Sequence, residues 1–175
     1  MKSFKKSFIG LLWLCIFLPV FSCNAQDPQL KVGDVAPDFK LIGDDGKVVQ
    51  LSTLKGKTVV LYFYPKDQTP GCTKEACGMR DNLGAIQAEN TLVFRISVDK
   101  VSSHQNFKVK QKLNFTLLSD SSKVVSKQYS GLNIFGMANR VTYIVDKNGV
   151  IQKIYPKVDV SQHAEEVLAF LRTLK

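Results

Sequence analysis

The feature that most constrains the fold of this chain is an apolar strand that leads, within a few residues, into a cysteine-bearing helix. Residues 58–64 are β-branched, aliphatic and aromatic, which predicts a buried strand. Thr69 and Pro70 suit the N-cap and the first position of a helix, where proline's missing N–H would be unpaired anyway. Cys72 then lies in the first turn and shares a face with Ala76, Met79, Leu83 and Ile86. Unpaired N–H groups and the helix dipole favour its thiolate, the reactive form of cysteine.

A second cysteine, Cys77, lies on a different side of the same predicted helix. Five residues separate it from Cys72, which corresponds to about 140° around the axis and about 7.5 Å along it. The two Cα atoms would be about 9 Å apart, whereas a disulfide requires less than about 7 Å. A static bridge therefore conflicts with a regular helix. A catalytic pair that bonds only after the first turns unwind does not.

The composition indicates one soluble domain with a proper core. The 175 residues are 45% hydrophobic and 22% charged, which is ordinary for a globular protein. The formal net charge is +9, but the lysines and arginines are scattered along the chain. A solvated basic surface explains this pattern better than nucleic-acid binding does.

The N-terminal segment has the pattern of an export signal. Residues 1–6 are basic, and residues 8–21 form an apolar run that is short for a membrane span. We expect residues 1–25 to be a signal peptide or lipoprotein signal, followed by a short linker. Cys23 is the candidate for lipidation, and cleavage after Ala25 or a retained anchor are the alternatives. The mature protein is thus expected outside the cytoplasm, periplasmic or anchored to the membrane by an N-terminal lipid.

This segment decides how many thiols the folded domain contains. Cys15 leaves with the signal, and Cys23 is either lipidated or removed, so Cys72 and Cys77 remain. An exported compartment permits disulfides. A static structural bridge between these two residues is therefore still an alternative at this point.

Strands and helices alternate along the rest of the chain. Strands are predicted at 39–42, 48–51, 91–98, 115–118, 141–145 and 150–155, helices at 102–112, 121–129 and 161–174, and a helical turn or loop at 52–56. This order predicts an α/β protein with a mixed central sheet and helices on both faces. With a cysteine at the strand-to-helix junction, the arrangement is thioredoxin-like. Residues 30–175 are expected to form one domain.

Several polar residues receive plain structural interpretations. Ser102 or Ser103 is expected to cap the helix that follows, and His104 and His163 are expected to face solvent. Cysteine, histidine and carboxylate residues show no metal-ligand spacing. A C-x-x-x-x-C spacing differs from the C-x-x-C of thioredoxins, so simple dithiol exchange is the weaker hypothesis.

Residues 62–77 closely resemble the active-site stretch of peroxiredoxins, and in particular of the bacterioferritin-comigratory (BCP/PrxQ) subfamily. The family pattern P-x-x-x-T-x-x-C is met by Pro65, Thr69 and Cys72. The resemblance extends from about residue 30 to the C-terminus. It includes residues 136–143, in which Arg140 matches the family's active-site arginine.

The resemblance implies a thiol peroxidase of the atypical 2-Cys type that reduces hydrogen peroxide and organic hydroperoxides and protects against oxidative stress. Cys72 would be the peroxidatic cysteine, which becomes a sulfenic acid. Cys77 would be the resolving cysteine, which forms an intramolecular disulfide with it. Thioredoxin or a similar dithiol protein would reduce that disulfide. The resemblance implies no metal, haem or flavin, and it favours a monomer.

The chemistry suits the matched residues. Thr69 can hydrogen-bond one peroxide oxygen, and backbone N–H groups near Cys72 can hold another. Arg140 favours the thiolate and the charge that develops on the leaving oxygen. Pro65 shields the site without adding a donor. Glu75 either orients an arginine or lies at the surface.

Two other classes of function remain open from the residues. An extracytoplasmic thiol–disulfide oxidoreductase would use the same two cysteines for exchange with protein substrates. A non-enzymatic module would use them as a structural bridge, which resists reduction where a strained catalytic disulfide does not.

Overall fold

The structure is a computed structural model that describes residues 30–174, so the predicted signal and Cys23 lie outside the described residues. The strands are β1 (Lys40–Gly43), β2 (Val48–Gln50), β3 (Thr58–Phe63), β4 (Thr91–Ser97), β5 (Thr116–Ser119), β6 (Val141–Val145) and β7 (Ile151–Tyr155). The helices are α1 (Pro70–Ala88), α2 (Val101–Gln111), α3 (Val124–Tyr129) and α4 (His163–Leu171), with a 3₁₀ turn at Leu51–Leu54. None of the helices among the described residues is long and apolar enough to cross a bilayer.

The seven strands form one mixed sheet in the order β2-β1-β5-β4-β3-β6-β7. Strands β3, β4 and β5 run parallel, because helices α1 and α2 return the chain to the same end of the sheet each time. The hairpin of β6 and β7 adds antiparallel strands beside β3, and β1 and β2 do the same beside β5. The predicted mixed α/β architecture is confirmed.

Strand β3 lies inside the sheet and contributes side chains to both of its faces. Since successive residues of a strand point to opposite sides, its odd-numbered and even-numbered positions enter different cores. One core joins Leu61 and Phe63 to Tyr129 of α3. The other joins Val60 to α1 and α4, through residues such as Met79 and Val167. Helices therefore cover both faces, as the sequence predicts.

Three local predictions are wrong. Helix α2 begins at Val101 with Lys100 at the N-cap, so neither Ser102 nor Ser103 has that position. The two histidines are buried, with 0% of His104 and 1% of His163 exposed. His104 lies on the side of α2 that packs against β5, and its Nε2 is 3.2 Å from the Leu118 carbonyl oxygen. A polar residue beside other polar residues looks solvent-facing in a sequence, and only the packing shows otherwise.

Candidate active site

The candidate site lies where β3 ends and α1 begins. Gln68 has a left-handed conformation, with φ of 59°, and it turns the chain back toward the sheet. Thr69 is at the N-cap position of α1, as predicted, but its side chain makes no capping hydrogen bond. Its hydroxyl donates instead to the Lys66 carbonyl, at 3.2 Å. The first backbone N–H groups of α1, which lack partners inside the helix, are thus left free by the Thr69 side chain.

The thiol of Cys72 is buried, with 1% of the residue exposed. Nη2 of Arg140 lies 3.0 Å from its sulfur. Arg140 directly precedes β6, whose antiparallel pairing sets Val141 opposite Phe63 at the end of β3. Sheet register therefore brings together two residues that are 68 positions apart in the chain. The sulfur of Cys72 is thus within hydrogen-bonding distance of a positively charged donor.

Glu75 is the buried partner of Arg140. It follows Cys72 by one helical turn, it is 1% exposed, and its Oε2 accepts a hydrogen bond from Arg140 Nη1. Burial raises the pKa of the Glu75 carboxyl, while the guanidiniums of Arg140 and Arg95 oppose that rise. Of the two sequence-based interpretations, orientation of an arginine is the one that the structure supports.

The sequence analysis missed a second arginine beneath the site. Arg95 of β4 is fully buried, and its Nη2 donates to the Cys72 carbonyl oxygen at 2.9 Å. Its guanidinium carbon lies 3.5 Å from the centre of the Tyr64 ring. The available signal was a lone charged residue inside the apolar run of β4. Its parallel pairing with Tyr62 brings it under the helix.

A buried hydrogen-bond network also fixes the loop between β3 and α1. Asp67 accepts hydrogen bonds from the Tyr64 hydroxyl at 2.5 Å and the Ser103 hydroxyl at 2.8 Å. His104 Nδ1 lies 2.9 Å from the second of its carboxylate oxygens. Burial raises the pKa of Asp67, but the hydrogen bonds from these three residues outweigh burial and lower it. The sequence analysis did not single out Asp67, and it expected His104 to face solvent.

The two cysteines are on different sides of α1. Cys77 is partly exposed, and its sulfur lies 3.9 Å from Oε1 of Gln111. Both residues are free thiols within one continuous helix from Pro70 to Ala88, as the sequence predicts for the reduced protein. Pro65 is partly buried in the loop before the helix. Within residues 30–174, no group of three or more histidine, cysteine or carboxylate side chains could hold a metal ion.

A cysteine at the start of the helix that follows a central strand, in a mixed sheet with helices on both faces, defines a thioredoxin-like protein that acts through a thiol. The AhpC/TSA family model matches residues 32–154, and the chain belongs to this family. Its relatives are peroxiredoxins of the BCP/PrxQ type, in agreement with the sequence resemblance.

Similarity to individual proteins extends over most of the chain. Peroxiredoxin bcp of Coxiella burnetii is 47% identical over 150 residues, which cover 82% of this chain and 99% of that protein. The structure of PrxQ from Xylella fastidiosa superimposes with a TM-score of 0.78 at 30% identity, covering 83% of this chain and 97% of that one. The bacterioferritin comigratory protein of Xanthomonas campestris, which has alkyl peroxide reduction activity, gives 0.75 at 30% identity and covers 82% and 96%. The thioredoxin-like fold is thereby confirmed.

Proposed function

We propose that this chain reduces hydrogen peroxide and organic hydroperoxides through a sulfenic acid on Cys72 and a disulfide with Cys77. Membership of the AhpC/TSA family supports a thiol peroxidase. The observation that carries the assignment to Cys72 is its buried sulfur, 3.0 Å from a guanidinium nitrogen of Arg140. The alkyl peroxide reduction activity of the similar Xanthomonas campestris protein supports the inclusion of organic hydroperoxides.

The first step breaks the O–O bond of the peroxide. The Cys72 thiolate attacks one oxygen, an S–O bond forms, and the other oxygen leaves with the bonding electrons and takes up a proton to become water or an alcohol. The free N–H groups at the start of α1 and the Thr69 hydroxyl hydrogen-bond the peroxide. Arg140 stabilises the negative charge as it moves from sulfur to the leaving oxygen. Pro65 limits the access of water to the thiolate.

The second step joins the two cysteines. The Cys77 thiolate attacks the sulfur of the sulfenic acid, a disulfide forms as the S–O bond breaks, and the oxygen leaves as hydroxide, which takes up a proton to become water. Both residues lie in α1 with Cα atoms about 9 Å apart on ideal geometry, so the first turns must unwind before the sulfurs can bond. Thioredoxin or a similar dithiol protein then reduces the disulfide by thiol–disulfide exchange.

The test compares the wild type with Cys72→Ser and Cys77→Ser. We expect Cys72→Ser to consume no peroxide. We expect Cys77→Ser to consume about one equivalent and then stall or over-oxidise, because its sulfenic acid has no internal thiol partner. Mass spectrometry of the peptide containing residue 72 identifies the oxidation state at each stage. Full peroxidase activity in Cys72→Ser, or normal multiple turnover of Cys77→Ser with thioredoxin alone, would contradict the proposal.

The same proteins test the alternative of a thiol–disulfide oxidoreductase. That function requires the wild type to reduce a protein disulfide, such as those of insulin, at a rate comparable to its peroxide consumption. We expect peroxide to be strongly preferred as the substrate. The two cysteines are spaced C-x-x-x-x-C, and the Arg140 guanidinium is 3.0 Å from the sulfur of Cys72.

We further propose that the mature protein is a monomer that acts outside the cytoplasm, attached to a membrane through a lipid on Cys23. The support is the basic and then apolar pattern of residues 1–21, followed by Ser22 and Cys23. Mass spectrometry of the mature N-terminus tests this: a lipidated Cys23 is expected. An N-terminus at Gln26 would indicate soluble export instead.

A further inference from the structure

Arg95 is the most deeply buried cation among the described residues, and the proposed reaction does not use it. None of its surface is exposed. Its guanidinium carbon lies 5.5 Å, 3.5 Å and 4.8 Å from the ring centres of Tyr62, Tyr64 and Phe107. These aromatic faces attract a cation but leave it without solvent.

Hydrogen bonds satisfy only part of the Arg95 guanidinium. Nη2 donates to the Cys72 carbonyl oxygen, while Nε and Nη1 have no hydrogen-bond partner among residues 30–174. The charge of Glu75 acts on Arg95, but that carboxylate forms its salt bridge with Arg140. Because a buried charge without a directly bonded partner is costly, a further anion near Arg95 is favoured.

The groups that contact Cys72 carry more positive than negative charge while its thiol is neutral. Arg95 and Arg140 supply two positive charges, and Glu75 supplies one negative charge. Asp67, the other buried carboxylate of this region, hydrogen-bonds Tyr64, Ser103 and His104 and makes no hydrogen bond to Arg95 or Cys72. A thiolate at Cys72 would offset the local excess of positive charge.

We propose that Arg95 is a positioning residue that stabilises the Cys72 thiolate from beneath α1, as a second guanidinium beside Arg140. Arg95 hydrogen-bonds the Cys72 backbone and does not contact the reacting sulfur. It therefore acts through its charge and by fixing the position of the first helical turn. The two arginines differ in environment: the Arg140 side chain is 21% exposed, whereas Arg95 is closed off from solvent. Arg95 therefore acts from a site without solvent, where its charge is weakly screened.

The experiment measures alkylation of Cys72 by iodoacetamide as a function of pH in the full chain, and it follows the Cys72 peptide by mass spectrometry. In the neutral variants Arg95→Met and Arg95→Gln, we expect the midpoint of the alkylation curve to move to higher pH by about one unit or more. Arg95→Lys keeps the charge, and it should recover at least half of that shift. Arg80→Met is the matched control, since Arg80 also donates to a backbone carbonyl, that of Gln111 at 2.7 Å, and it should leave the midpoint unchanged.

The proposal would be overturned if the alkylation midpoints of Arg95→Met and Arg95→Gln lay within about 0.3 pH unit of the wild type. It would also be overturned if Arg95→Lys shifted the midpoint as much as these neutral variants do. Circular dichroism and thermal melts establish that the compared proteins are folded.

This inference rests on the proposed function only in taking Cys72 as the reacting thiol. Alkylation consumes no peroxide, so the two proposals fail separately. A shifted midpoint in a protein without peroxidase activity would refute the proposed function and support the role of Arg95. Normal peroxidase activity with unshifted midpoints in the Arg95 variants would support the proposed function and refute the role of Arg95.

Discussion

Cys72 depends on side chains that lie far from it in the sequence. Its own motif predicted the thiol and the helix turn that holds it, because those features are local. Arg140 was found through the resemblance of its surrounding residues to a family pattern. Arg95 and Asp67 were not found, since their importance comes from the pairing of β3 with β4 and from the packing of α2, which no local pattern reveals.

The ion pair of Glu75 and Arg140 yields a prediction with two separate readouts. In Glu75→Gln the Arg140 guanidinium loses its charged partner, and we expect the second-order rate constant for Cys72 oxidation by hydrogen peroxide to fall about tenfold. The midpoint of Cys72 alkylation should not rise, because a negative charge has been removed from its surroundings. Stopped-flow oxidation and pH-dependent alkylation measure these two quantities.

The control for this prediction is Asp81→Asn, in the same helix. Asp81 pairs with Arg80 at the surface, with 62% of its side chain exposed. That variant should leave both the oxidation rate and the alkylation midpoint unchanged. A Glu75→Gln variant with the rate constant of the wild type would mean that Arg140 keeps its position without this carboxylate.

Among the elements, α1 has to satisfy two opposing requirements. It must be folded to hold Cys72 beside Arg140, and it must unwind for Cys77 to reach the sulfur. The sequence predicted its start at Pro70 and an apolar face that extends to Ile86, because the Thr69-Pro70 pair and the apolar spacing are local signals. The starts of α3 and α4 were less predictable, since their N-cap residues, Lys123 and Gln162, are not the types that favour this position.

Two glycines within α1 allow the unwinding step to be tested. A Cβ at Gly78 would lie 3.8 Å from the Ala164 Cβ, an ordinary contact, and a Cβ at Gly84 would meet nothing within 4 Å. Alanine at either position should therefore stabilise the folded protein by about 0.5–1 kcal/mol. Only Gly78→Ala, next to Cys77, should also slow the formation of the disulfide.

The measurements are urea unfolding for stability and mass-spectrometric quench-flow for the rate of disulfide formation after a single addition of peroxide. Gly84→Ala, two turns further along the helix, is the control. Equal rates of disulfide formation in Gly78→Ala and the wild type, despite higher stability, would show that the helix around Gly78 does not limit the reaction.

For the molecule as a whole, the sequence predicted the type of architecture but not the order of the strands. Alternating elements indicate a mixed sheet with helices on both faces. The pairing of β1 with β5, by contrast, joins segments about 75 residues apart in the chain, and no turn specifies it. His163 was mispredicted for the same reason, because its burial depends on how α4 packs against β6.

His163 makes the stability of the molecule depend on pH. Burial, assisted by the charge of Arg140, lowers the pKa of His163 from 6.5 to about 4. Its Nε2 is 2.8 Å from the Thr142 hydroxyl, and Glu166 is 3.8 Å from its Nδ1. The unfolded chain binds a proton at this residue below about pH 6.5, and the folded chain does not until about pH 4. Stability is therefore complete above about pH 6.5, and it falls by about 3 kcal/mol as the pH drops to about 4.

The test is urea unfolding between pH 7 and pH 4 for the wild type and His163→Gln. The wild type should lose about 3 kcal/mol more over this range than the variant, whose residue 163 does not titrate. Glu166→Gln serves as the control, and it should resemble the wild type because that carboxylate is 43% exposed. If the wild type and His163→Gln lost equal stability over this range, groups other than His163 would cause the sensitivity to acid.

Arg140 directly precedes β6, and this position determines where the chain can tolerate insertions and deletions. The hydrogen-bond register between β3 and β6 carries the guanidinium to the sulfur, and the preceding loop, residues 130–139, lies outside that pairing. Insertions or deletions in the exposed part of this loop, around Ile134 and Phe135, should therefore leave the site intact. One residue added between Arg140 and Val141 would displace the guanidinium by a strand position and turn it toward the opposite face.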